Sequence, residues 1–224
     1  MNILTIDTSM EIGSVGLVSD GAVLADHRFE IKRGTTNTVH SFIEDIFKQA
    51  GILPASIKLV AVVIGPGSFT GLRVALAAGK GIAHPHSIPI AGVETTHAIA
   101  EMVERDGIIV PVIDAKRSQL YVAMFERTGG KLRANDVNRA IDVDKFEELI
   151  PSGAILCGSG IRKLADSVLT NYEVCTEDSW YPSIPVIASI ALRLFEKKQF
   201  MDIENSAPLY CRAPDAKPSS GDNG

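Results

Sequence analysis

Residues 3–7 read Ile-Leu-Thr-Ile-Asp, and residues 109–114 read Ile-Val-Pro-Val-Ile-Asp. Each is a short apolar run closed by an aspartate. An offset of 107 carries Ile6-Asp7 onto Ile113-Asp114, Val15 onto Val122 and Leu17 onto Met124. Continuous apolar runs of this kind suit strands buried on both faces of a sheet. Two copies imply two α/β halves, each with its own sheet and packed helices.

Around the first copy, residues 14–18 and 23–29 read as two more strands. Asp20-Gly21 between them is a hairpin turn. Val39, Phe42, Ile43, Ile46, Phe47 and Ala50 recur on one face of a helix. Thr36, Asn37 and Thr38 are its N-cap candidates, and Gly51 stops it. Residues 59–64 form a buried strand. Residues 72–83 form a helix rich in small side chains, ended by Pro85. A strand at 88–93 and a helix at 96–104 complete the order β-β-β-α-β-α-β-α. Around the second copy, strands are expected at 109–114, at 120–126 and near Leu132, with Gly129-Gly130 at the turn. Helical patterns at 144–150 and 161–169 flank a strand at 154–157, and a last helix covers 186–197. Residues 216–224 have the composition of a disordered tail.

The chain has 224 residues, 46% apolar and 22% charged, enough for a sizeable core. Its net charge of −5 argues against gripping nucleic acid unaided, since phosphate contacts need a basic footprint. Cys157, Cys175 and Cys211 are odd in number and lack metal-ligand spacing, so reduced thiols are expected. The opening residues lack the basic stretch of a signal peptide. No run approaches the roughly 18 apolar residues of a membrane span. A soluble, cytoplasmic protein is expected.

Several constellations bear on chemistry. Asp7-Thr8-Ser9 sits at a strand end, where a carboxylate and two hydroxyls can hold a hydrated metal or phosphate, or satisfy a turn. Asp114 is its equivalent, so the two carboxylates are expected to face each other across a cleft. Gly65-Pro66-Gly67-Ser68-Phe69-Thr70-Gly71-Leu72-Arg73 joins a buried strand to a helix. It fails the P-loop pattern, and its glycines serve anion binding or close packing equally well. The small side chains of the following helix admit another helix, internal or from another subunit. Arg73 and Lys80 share a face and form a polar rim there. His27, His40, His84, His86 and His97 include no helical i, i+4 pair of the kind zinc sites use. Gly158-Ser159-Gly160 is too short for a nucleophile elbow. Asp114-Ala115-Lys116-Arg117-Ser118 reads as a salt-bridge cluster in a hairpin.

The opening Ile-Leu-Thr-Ile-Asp-Thr-Ser with Ser14-Val15, the segment 65–73, and Ile88-Pro89-Ile90-Ala91-Gly92-Val93 together resemble the TsaB (YeaZ) family. Asp114-Ala115-Lys116-Arg117 with Tyr121, and Pro208-Leu209-Tyr210-Cys211-Arg212, continue the likeness over roughly residues 1–213. The resemblance implies an α/β, actin-like ATPase (sugar kinase/Hsp70/actin) fold of two duplicated domains, 1–106 and 107–215, with a tail at 216–224. It implies work in placing threonylcarbamoyl on the adenosine next to the tRNA anticodon, from a threonylcarbamoyl-adenylate donor. In that pathway the family is the non-catalytic partner of a paralogous transferase, TsaD, joined by a small ATPase, TsaE.

The paralogue carries two metal-binding histidines four residues apart after its Gly-Val-Asn. Gly92-Val93-Glu94 is the matching stretch, and Thr95 and Ile99 fall on the ligand positions. Neither side chain replaces imidazole on a metal, so no catalytic metal is expected, and the resemblance implies no catalytic residue. The family's contact surface is a bundle of two helices from each partner. Carried over, these are residues 37–50, with Asn37, His40, Ser41 and Glu44, and residues 70–83, with Leu72, Arg73, Leu76, Ala77 and Lys80. The same surface is expected to self-pair as a homodimer when the chain is alone. Transfer RNA is met indirectly, through the complex, and ATP or ADP only at the complex interface. The competing expectation is a small-molecule phosphotransferase of the same fold, with Asp7, Thr8, Ser9 and Asp114 around a phosphate. A metallopeptidase is disfavoured by the missing histidine pair.

Overall fold

The apolar run at the start of the chain becomes the middle of a sheet. The computed structural model describes residues 1–32 and 38–212. In it β1 (Asn2–Asp7) is buried from Ile3 onward. Strands β2 (Ile12–Ser19) and β3 (Ala22–Glu30) follow as an antiparallel meander. Asp20 (φ 48°) and Gly21 (φ 85°) make the turn in the left-handed region that two-residue hairpins need. Helix α1 (Val39–Ala50) buries Val39, Ile43, Ile46 and Phe47 and ends at Gly51 (φ 65°). Two of its expected capping residues, Thr36 and Asn37, lie outside the described residues. Strand β4 (Leu59–Gly65) pairs parallel with β1, and β5 (Ile90–Glu94) parallel with β4. Helix α2 (Phe69–Ala83) connects those two, and α3 (Thr95–Glu101) follows. The strand order is β3-β2-β1-β4-β5.

The second half repeats this plan with broken strands. Strand β6 (Gly107–Lys116) takes the place of β1. Its antiparallel neighbour is split into β7 (Gln119–Val122) and β8 (Phe125–Thr128). The next strand is split into β9 (Lys131–Ala134) and β10 (Arg139–Asp142), which pair with β8 and β7 respectively. On the other side β11 (Ile155–Cys157) pairs parallel with β6, and β12 (Glu173–Val174) with β11. The duplication is therefore visible in the topology. The register of the repeat slips by one on the second strand. Asp7 pairs with Ser14, seven residues on, whereas Asp114 pairs with Leu120, six residues on. Tyr121, not Val122, thus stands opposite Ile113.

The helices of the second half are much reduced. The pattern at 144–150 yields a 3-10 turn and the single-turn α4 (Phe146–Leu149). The pattern at 161–169 yields a 3-10 segment (Ser159–Lys163) and α5 (Asp166–Leu169). Leu164 and Ala165 between them are extended, with ψ of 143° and 150°. Leu164 is buried in the second core, so its apolar character serves packing of an irregular segment.

The last helix, α6 (Ile184–Glu196), packs where the sequence order does not suggest. Its residues Ile184, Ile187, Ala188, Ile190 and Ala191 form one core with Ile3, Leu59, Ala61, Val63, Ala91 and Val93 of the first sheet. Helices α1 and α2 cover the opposite face of that sheet. Gly16 is bare because Ile184 fills its place: a Cβ there would lie 2.6 Å from Ile184 Cγ2. The chain then returns along the first half. Met201 N–H donates to Ile90 O and Leu209 N–H to Ile64 O, both at 2.8 Å. No helix among the described residues is long and apolar enough to cross a membrane.

Ile187 is fully buried under the first sheet, so Ile187→Ala should cost about 2–5 kcal/mol of stability by removing side-chain volume the core cannot refill. Urea denaturation followed by circular dichroism should show the unfolding free energy extrapolated to water fall by that amount.

Candidate functional site

The ends of β1 and β6 are built alike. Asp7 Oδ1 accepts the Ser9 N–H, and Asp114 Oδ1 accepts the Lys116 N–H, each at 2.8 Å. Each carboxylate thus closes a turn two residues ahead. Their surroundings differ. Asp7 is 1% exposed, and burial pushes its carboxyl up to about 6, against the pull of the Ser9 hydrogen bonds and the Arg28 charge. Asp114 lies at the surface of the cleft. Its partial burial pushes upward, but hydrogen bonds from Lys116 and the charges of Lys116 and Lys163 hold it below the usual carboxylate range. Lys116 Nζ stands 2.9 Å and Lys163 Nζ 3.7 Å from Asp114 Oδ2.

Between the two strand ends lies a cleft of about 460 Å³. Ser9, Ser68 and Thr70 border it from the first half, and Asp114, Lys116 and Arg117 from the second. The expected facing of Asp7 and Asp114 is not what forms. Asp114 lines the wall, while Asp7 is sealed behind Thr8 and Ser9, which are 1% and 0% exposed. The two acids are held apart in environment: one dry, the other neutralised by lysine. The hairpin carrying Lys116, Arg117 and Ser118 has φ of 63°, 52° and 58°, three successive left-handed residues without a glycine. Such backbone is costly and persists only where neighbours fix it, here the two hydrogen bonds that Lys116 donates to Asp114, from its N–H and its Nζ. The hairpin and its Asp114–Lys116 ion pair match the expectation from the charge pattern, which gives no signal for the three left-handed residues.

The glycine loop answers its own question. A Cβ on Gly67 would lie 2.2 Å from Ser9 O, and one on Gly71 would lie 1.9 Å from Thr8 O. Both glycines exist so that loop backbone can press onto the end of β1. Ser68 N–H donates to Ser9 O at 2.7 Å, and Thr8 Oγ1 donates to Gly71 O at 2.6 Å. Ser68 Oγ caps α2 by accepting the Gly71 N–H at 3.2 Å. Packing, rather than anion binding, accounts for the spacing. The second half repeats the device: a Cβ on Gly158 would lie 2.4 Å from Val112 O, and one on Gly160 would lie 2.7 Å from Ile113 C.

On the helices, His40, Ser41 and Glu44 are exposed on α1, and Asn37 lies outside the described residues. On α2, Arg73 and Ala77 are exposed, and Lys80 is half-buried. Leu72 and Leu76 were expected on the same contact face and are not on it: they are 1% and 5% exposed. With α2 pressed onto the sheet, a turn that presents Arg73 and Ala77 outward must send Leu72 and Leu76 inward. Arg73 and Lys80 are also engaged within the chain. Arg73 Nε donates to Tyr210 Oη at 3.0 Å, and its guanidinium lies 3.8 Å from the Phe69 ring centroid. Lys80 Nζ donates to Ser206 O at 2.9 Å. The segment after α6 is therefore laced to α2, a contact 126 residues long in sequence that local patterns do not reveal.

On α3, Thr95 and Ile99 are fully buried. His97 is turned away from them, stacked at 5.8 Å on Phe125 and 3.7 Å from Glu101. Burial holds the His97 imidazole below its ordinary pKa. The three cysteines are free thiols.

The family model for TsaD, tRNA N6-adenosine threonylcarbamoyltransferase, matches residues 30–219. The tRNA threonylcarbamoyladenosine biosynthesis protein TsaB of Escherichia coli (strain K12) is 27% identical over 226 residues, 95% of each chain. The chain belongs to that family and, within it, to the TsaB (YeaZ) group. TsaB of Bacillus subtilis (strain 168) is 29% identical over 133 residues, 59% of this chain and 58% of its own. The solved YeaZ of Pseudomonas aeruginosa superposes with a TM-score of 0.79 over 93% of this chain and 99% of that one, at 21% identity. The TsaB fold is thus the fold described above.

Asp7 binds its proton more tightly in the folded chain than in the unfolded one. Its contribution favours folding fully below about pH 4 and is lost as pH rises through about 6. Above that, moving the carboxyl from 3.8 to about 6 costs about 3 kcal/mol. Asp7→Asn keeps an oxygen for the Ser9 N–H and removes the charge. It should therefore raise stability at pH 7 by about 1–3 kcal/mol and flatten the stability profile between pH 4 and 6, read by denaturant midpoints across that range.

Proposed function

We propose that this chain is the non-catalytic scaffold that binds and activates the paralogous threonylcarbamoyltransferase TsaD for N6-threonylcarbamoylation of the adenosine beside the tRNA anticodon. The observation that carries this reading is α3. The two positions matching the paralogue's metal ligands are Thr95 and Ile99, both packed into the core. Neither their chemistry nor their placement provides a metal ligand pair. Membership of a family named for threonylcarbamoyladenosine synthesis supplies the pathway.

The docking surface is the outward face of α1 and α2. His40, Ser41 and Glu44 lie on the first helix, with Arg73, Ala77 and the edge of Lys80 on the second. Ala77 and the open Gly81 let a partner helix approach closely, since a Cβ on Gly81 would meet nothing within 4 Å. Docking there orders the transferase, TsaE joins the pair, and the assembled complex meets the tRNA. Nucleotide, where it is used, sits at the complex interface. The same face pairs two copies of the chain when TsaD is absent.

A phosphotransferase reading is weaker on the geometry of the cleft. It needs two accessible carboxylates around a phosphate and its cation. Here Asp7 is buried and Asp114 is neutralised by two lysines.

Size-exclusion chromatography with light scattering tests the scaffold reading. Wild type mixed with TsaD should elute as a complex. Ser41→Arg with Ala77→Arg should abolish it while leaving the circular dichroism unchanged, because both positions are exposed. A variant that binds TsaD as well as wild type does places the interface elsewhere. Turnover of ATP by the isolated chain favours the phosphotransferase.

A further inference from the structure

A hollow of about 260 Å³ lies where the N-terminus of α6 meets β2 and β3. It shares no lining residue with the cleft between the halves. It opens on the face of the first sheet opposite α1 and α2.

Three features converge there. Ser14 lines the hollow at 6% exposure, and its Oγ has no hydrogen-bond partner among the described residues. An unpaired buried hydroxyl costs free energy, and of the five among the described residues Ser14 Oγ is the one that lines this hollow. The first turn of the 13-residue α6 forms the rim. Ser183 occupies the N-cap but makes no side-chain cap bond, and Pro185 has no N–H to give. Helix geometry leaves the Ile184 and Val186 N–H groups without intrahelical acceptors, and neither finds another among the described residues. Arg28 stands opposite Ser14 in the β2–β3 register and lines the same hollow. It forms no ion pair among the described residues; its guanidinium lies 5.7 Å from the Tyr181 ring centroid.

Hydroxyl, helix N-terminus and guanidinium all ask for an oxyanion. Asp26 asks for something more. It also lines the hollow, and a doubly charged phosphate would be repelled by it. A ligand with one carboxylate and a neighbouring ammonium satisfies every group present. We propose that the hollow binds a small α-amino acid, its carboxylate on the α6 N-terminus, Ser14 and Arg28, and its ammonium toward Asp26. Val23 and Pro182 border the space left for a short side chain.

Titration of the isotopically labelled full chain with L-alanine, acetate and inorganic phosphate, followed by amide NMR shifts, tests this. L-Alanine should give saturable shifts at Ser14, Ile184 and Val186. Acetate should move the same amides about tenfold more weakly, and phosphate least. Ser14→Ala should leave thermal stability unchanged or higher and still weaken alanine binding about tenfold, corresponding to one lost hydrogen bond to a charged group. Asp26→Asn should erase the preference for alanine over acetate. Absence of saturable shifts, binding of phosphate ahead of alanine, or full affinity in Ser14→Ala overturns the proposal.

Discussion

The structure hangs on backbone lying against backbone where the glycine loop meets the end of β1. Gly67 and Gly71 sit so close to the Ser9 and Thr8 carbonyls that no side chain fits between. This contact fixes where α2 begins and how near it lies to the sheet. Gly79 continues the close approach, since a Cβ there would lie 2.6 Å from Val62 Cγ2. With the helix pressed down, its large side chains must face the sheet. What remains outside is Ala77, Gly81 and the polar flank of Arg73. The same turn buries Asp7 and shapes one wall of the cleft. A packing constraint therefore decides both the face proposed for docking and the fate of the acidic residue.

The duplication sets the two halves to different work. The first half keeps three substantial helices against its sheet, two of its own and one, α6, from the far end of the chain. The second half keeps the strand order and the paired glycines but shortens its helices to single turns. Its contribution to the cleft is a left-handed hairpin of basic residues. A duplicated frame thus survives while its two strand-end acids have diverged, Asp7 into the core and Asp114 into a lysine pair. The surfaces proposed for recognition lie on the first half: the outer face of α1 and α2, and the hollow behind α6.

Much of the first half was legible because its elements are long and strongly periodic. The stripe Val39, Ile43, Ile46 and Phe47 reads as a helix face and is one. The run at 59–64 reads as a buried parallel strand and is β4. The repeat was legible from Asp7 and Asp114, but the turn that each carboxylate closes was not. Short patterns misled: Ile161, Leu164 and Val168 have helical spacing, yet the segment is too short to hold a helix through Leu164. Leu72 and Leu76 were placed on the wrong face because residue numbers within a helix do not say which side meets the sheet. The lacing of Arg73 to Tyr210 and of Lys80 to Ser206 was invisible, being set by the path of the chain after α6.

The central claim is that recognition runs through the outward face of α1 and α2, not through the cleft. Hydrogen–deuterium exchange of the chain, alone and with TsaD, measures this most directly. The account predicts that slowed exchange is concentrated in peptides covering residues 38–50 and 69–84 and is absent from the 114–119 hairpin. Protection confined to that hairpin and to residues 8–12, with both helices unchanged, would contradict it.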